Sequence, residues 1–70
     1  MSDNTLALPE RLLRRPDVER RTGFKRARIY ALMRDGRFPL PVRIGDRAVA
    51  WRESDIAAWI NSRPLAREGK

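Results

Sequence analysis

The chain has 70 residues, 16 Lys+Arg against 9 Asp+Glu, a net charge of +7, no Cys and no His. That length holds one domain, and the missing residue types remove disulfides, the usual Cys/His zinc sites, thiol nucleophiles and His-based triads. Catalysis is therefore the class least expected, no metal or cofactor is called for, and every apolar run falls far short of the ~18 residues of a membrane span.

Residues 1–10 read as a flexible tail that lacks the basic start and apolar stretch of a secretory signal. A domain over residues 11–63 opens on the apolar pair Leu12-Leu13. Pro16 suits the first position of a helix, and Asp17 and Glu19 favour its positive end. That helix should run Pro16–Arg21, bury Val18 together with Leu12 or Leu13, and stop at Gly23. A second helix should start near Lys25, end at Asp35 and be closed by Gly36. Its apolar stripe is Ile29, Leu32 and Met33, with Ala27, Ala31 and Arg34 on the opposite face and Arg26, Arg28 and Tyr30 on the flanks.

Phe38-Pro39-Leu40-Pro41 cannot continue a helix and reads as an extended connector. Val42-Arg43-Ile44 and Val49-Ala50-Trp51 then alternate around Gly45-Asp46, the pattern of a β-hairpin. Placing Val42, Ile44, Val49 and Trp51 on one face requires a loop of two residues, Gly45-Asp46, or of four, Gly45–Ala48. A last helix should start at Glu53–Ser54 with the stripe Ile56, Trp59 and Ile60, and end before Pro64. Residues 64–70 form a C-terminal tail. The fold class expected is α+β, mainly α: three short helices plus a hairpin.

The charge is concentrated. Residues 11–34 hold nine bases against Asp17 and Glu19, a local excess of +7 that equals the net charge of the whole chain. Arginine supplies 14 of the 16 bases, and its planar fork matches phosphate and guanine. A localised excess of this kind is the electrostatic footprint of a phosphate-binding face. Two short helices separated by Thr22-Gly23-Phe24 fit a helix-turn-helix whose second helix enters the DNA major groove. The following hairpin, with arginines at its tip and outer face, would be the wing. The residues thus point to a small winged helix-turn-helix that binds double-stranded DNA.

The run Leu12-Leu13, Val18, Thr22-Gly23-Phe24, Ile29-Tyr30, Leu32-Met33, Gly36, Phe38-Pro39, Pro41-Val42, Ile44-Gly45, Arg47, Val49, Trp51, Ser54-Asp55-Ile56 and Trp59-Ile60 resembles the AlpA family of prophage regulators. The resemblance spans about fifty of the 70 residues. It implies a MerR-like winged helix-turn-helix, as also found in small phage excisionases. It further implies control of an integrase or neighbouring operon, or architectural direction of excision, in a bacterial mobile element. Family members usually open the recognition helix with Ser-Arg-Ser-Thr or a similar run. Here Lys25-Arg26-Ala27-Arg28 stands instead, so Arg26 matches the family's basic position while the capping hydroxyl is lost, at a cost of roughly 0.5–2 kcal/mol if nothing replaces it.

The candidate recognition-helix residues are Lys25, Arg26, Ala27, Arg28, Tyr30 and Arg34. Arg26 and Arg28 are placed for groove contact. Tyr30 reaches a phosphate or packs on the core edge, and Arg34, a full turn further on, is placed for a phosphate rather than a base. Ala27 and Ala31 either permit close approach or simply favour helix. Arg43 and Arg47 are the wing candidates, one of them able to pair with Asp46 instead. Arg20 and Arg21 either clamp the backbone or solvate the first helix, and Trp51 and Trp59 are assigned to the core. The partners expected are double-stranded DNA and, as a protein, an integrase or another phage protein. A cytoplasmic monomer that assembles side by side on DNA is the expected state. The competing reading from another class is a basic adaptor or anti-repressor that binds an acidic protein.

Overall fold

The computed structural model describes residues 10–66. The expected N-terminal tail lies outside the described residues except for Glu10, and the C-terminal one is described only as far as residue 66. In chain order the elements are β1 (Leu12–Leu13), α1 (Arg15–Thr22), α2 (Arg26–Arg34), β2 (Val42–Arg43), β3 (Val49–Arg52) and α3 (Glu53–Asn61). The strands form one antiparallel sheet in the order β1-β3-β2. This is the α+β, mainly α arrangement that the pattern predicts, with one strand more.

The helices begin and end for identifiable reasons. Pro16 lies in the first turn of α1, where its missing N–H costs nothing, and Asp17 sits at the positive end. Gly23 ends α1 in the left-handed region at φ 81°, with its N–H donating to the Glu19 carbonyl at 2.7 Å. Gly36, at φ 72°, does the same after α2. Its N–H donates to Met33 and that of Arg37 to Leu32, which satisfies two terminal carbonyls. The start of α3 is capped from a distance. The Arg11 carbonyl accepts the Glu53 N–H at 2.8 Å, and the Glu10 carboxylate accepts both the N–H and the hydroxyl of Ser54, at 3.0 and 2.8 Å.

The core consists of Leu13, Val18, Ile29, Leu32, Phe38, Trp51 and Ile56, with Phe24, Met33 and Trp59 packed against it. Both indoles also hold the connector that follows α2. Trp51 Nε1 donates to the Pro39 carbonyl and Trp59 Nε1 to the Arg37 carbonyl, each at 2.9 Å. Phe38 lies between them in sequence and meets the Trp59 ring edge-on at 4.9 Å. These contacts fix the end of α2 relative to the hairpin and α3.

Three expectations are corrected. Leu12-Leu13 is not a plain lead-in but a strand, paired Leu12↔Arg52 and Leu13↔Trp51. Only Leu13 enters the core, while Leu12 is 50% exposed. The hairpin pairs Val42↔Ala50 and Arg43↔Val49, and the Ile44 N–H donates to the Ala48 carbonyl at 2.9 Å. Its loop is therefore the three-residue Gly45–Arg47, neither of the two lengths expected. In this register Val42 and Ile44 share a face with Ala50, while Val49 and Trp51 face the other way with Leu13. The physical reason is that β3 is buried on both sides. Ala50 and Trp51 are both 0% exposed, so both faces are covered and alternation loses its meaning. Ile60, expected in the α3 stripe, is 37% exposed, because the core ends at Ile56 and Trp59.

Candidate nucleic-acid interface

The turn between α1 and α2 is held by Thr22. Its hydroxyl donates to the Val18 carbonyl at 2.9 Å and accepts the Phe24 N–H at 3.1 Å. Phe24 then packs edge-on against Trp59 at 5.9 Å, which anchors the start of α2 to α3. Burial of Ile29 and Leu32 turns the opposite side of α2 outward. Lys25, Arg26, Ala27, Arg28 and Arg34 are exposed, and Tyr30 and Ala31 are half-buried at the margin.

The long side chains on this face splay apart. The Arg26 guanidinium lies over the Tyr30 ring, 5.5 Å from its centre, and that of Arg28 over the Phe24 ring at 5.7 Å. Ala27 stands between them with nothing larger than a methyl group. Lys25 occupies the N-cap and makes no side-chain capping bond. Unlike α1 and α3, α2 has no acidic residue in its first turn, so its positive end is left open between arginines.

The remaining candidates divide into free and engaged. Arg20 pairs with Asp17, and Arg21 pairs with Glu53 at 2.5 Å, with Arg11 3.9 Å from the same carboxylate oxygen. Arg43 donates to the Asp46 backbone carbonyl at 3.2 Å and so braces the hairpin tip from within. Arg47, in that tip, has no ion-pair partner among the described residues, and neither have Arg26, Arg28 and Arg34. Among the described residues no three His, Cys, Asp or Glu side chains are grouped to hold a metal ion, and no helix is long and apolar enough to cross a membrane.

One basic group was not singled out from sequence. Arg14 and Arg15, at the start of α1, line a cleft of about 360 Å³ with Pro16, Tyr30, Arg47, Val49 and Trp51. The cleft joins the margin of α2 to the hairpin tip. The adjacent arginines before Pro16 were the only hint, since the cleft needs three distant segments to close.

Two short helices across a glycine turn, a basic outward face on the second, and a hairpin beside it define a winged helix-turn-helix domain. Comparison with known proteins narrows this further. The chain belongs to the AlpA family: the family described as "Prophage CP4-57 regulatory protein (AlpA)" matches residues 11–64. It is similar to the uncharacterised protein ORF88 of Enterobacteria phage P4, 42% identical over 59 residues that cover 84% of this chain and 67% of that protein. It is also similar to the DNA-binding transcriptional activator AlpA of Escherichia coli, 36% identical over 59 residues covering 76% of this chain and 84% of that protein. No solved structure matches the chain.

Proposed function

We propose that this protein binds double-stranded DNA in a sequence-selective way and regulates transcription in a prophage or related mobile element. In this reading the exposed face of α2 lies in the major groove and the β2–β3 hairpin serves as the wing. The observation that carries it is the face itself: a narrow strip centred on Ala27, flanked by Arg26 and Arg28, at a helix end left without acidic residues. Small residues at the centre admit close approach, and arginines at the sides have the fork geometry that reads guanine or grips phosphate. The similarity to a relative described as a DNA-binding transcriptional activator supports the same reading. An adaptor for an acidic protein would use the charge but would have no use for helix-in-groove geometry. A domain this small reads few base pairs, so selectivity would come from cooperative binding at repeated sites.

The test is Arg26→Ala in a binding titration against a panel of duplexes. The variant should lose about 1–3 kcal/mol on the preferred duplex and much less on the others. An equal loss on every duplex would make Arg26 a phosphate contact, and no loss on any would remove α2 from the interface.

A further inference from the structure

We propose that the cleft between the start of α1 and the hairpin tip holds one backbone phosphate of the duplex, gripped by Arg14 and Arg47 with the Tyr30 hydroxyl. This rests on the DNA-binding reading above and deepens it, because it moves the backbone clamp away from the two arginines that the sequence pointed to. Arg20 and Arg21 spend their charge on Asp17 and Glu53. Arg14 and Arg47 have no ion-pair partner among the described residues, and both line the same cleft. Arg15 lies there too, but its Nε already donates to Glu19 at 3.1 Å, so it adds less.

The walls fit a phosphate. Pro16, Val49 and Trp51 form the apolar part of the wall, which lowers the effective dielectric beside the two guanidinium groups. Guanidinium groups from two separate segments, the start of α1 and the hairpin tip, can each donate a fork to phosphate oxygens, and a phenol hydroxyl supplies a further donor. Tyr30 links this cleft to the groove-facing strip, since Arg26 stacks on its ring. A phosphate seated here would fix the rotation of α2 in the groove without carrying sequence information.

The experiment follows binding of the full chain to a mixed-sequence duplex by fluorescence anisotropy as salt is raised. Arg14→Ala and Arg47→Ala should each reduce the slope of log K against log salt, the double variant by about 0.9, the worth of one neutralised phosphate, and Arg20→Ala should leave it unchanged. Between about 50 and 200 mM salt the double variant would therefore lose about 3.5-fold less affinity than the unsubstituted chain. A scan of single methylphosphonate replacements in the duplex should find one position that weakens the unsubstituted chain and not the double variant. Duplex binding with an unchanged slope in the double variant would overturn the cleft assignment alone. Failure of the unsubstituted chain to bind any duplex would overturn the DNA-binding reading and the cleft with it. Saturable sub-millimolar binding of inorganic phosphate, lost in Arg14→Ala while the duplex slope stays the same, would mark a free-anion site and overturn the duplex assignment. Arg14 and Arg47 are exposed, and a Gln variant at each position, matched in thermal unfolding, separates charge from folding.

Discussion

Ala27→Glu separates the folding and binding roles of α2, because the two should respond in opposite directions. Ala27 is exposed in the first turn, and its methyl group belongs to no packed cluster. Replacing alanine by glutamate in a helix costs about 0.4 kcal/mol of propensity. A carboxylate near the uncapped positive end returns about 0.3–1 kcal/mol. The net effect on stability lies between about zero and +0.6 kcal/mol, so the melting temperature should hold or rise by at most about 5 °C. In a groove the same carboxylate faces phosphates. At roughly 6 Å and an effective dielectric between about 20 and 80, one such pair costs about 0.7–2.8 kcal/mol, or roughly 3- to 100-fold in affinity. Circular dichroism melting and anisotropy titration on the same preparation give both numbers. Unimpaired binding in a stable variant would refute the placement of this face, and a large drop in stability would refute the claim that Ala27 is free of packing.

The fold carries its own tests. Trp51→Ala removes the largest fully buried side chain and should cost about 3–5 kcal/mol, against a total of roughly 3–9 kcal/mol for the 57 described residues, so urea titration should find most of the stability lost and the midpoint moved far down. A variant that melts like the unsubstituted chain would show that the core is not built on Trp51. Glu10 is held below its ordinary value of 4.5, first by the Ser54 N–H and then by the Ser54 hydroxyl, with a smaller contribution from Arg52; slight desolvation of the exposed carboxylate opposes the shift. A lowered folded pKa means that the contact stabilises above the ordinary value and is lost as pH falls through the lowered one. Glu10→Gln should therefore melt below the unsubstituted chain at neutral pH and converge with it in acid. A difference that persists in acid would mean that Glu10 acts otherwise than through its charge.

The helices were legible in the sequence because their signals are local. The stripe Ile29, Leu32 and Met33, the glycines at 23 and 36, and Pro16 each act within one or two turns. What the sequence hid depends on distant partners. Strand β1 is only two residues long and exists because β3 pairs with it. The hairpin register was hidden because β3 buries residues on both faces, Ala50 on one and Trp51 on the other, so alternation could not choose between them. No N-cap residue of the three helices makes a side-chain capping bond, and α3 instead borrows Glu10 from 44 positions earlier. The same holds for the basic residues. Composition marks all of them alike, but Glu53, 32 positions beyond Arg21, takes that arginine out of the free set.

The central claim is that α2 reads a sequence in double-stranded DNA, and the most direct test is selection from a random duplex library with the full chain near physiological salt, alongside Arg26→Ala. The account predicts an enriched motif, repeated at helical-turn spacing if copies bind side by side, that Arg26→Ala fails to recover. Salt-sensitive binding that enriches no sequence, or the same motif recovered by Arg26→Ala, would contradict it.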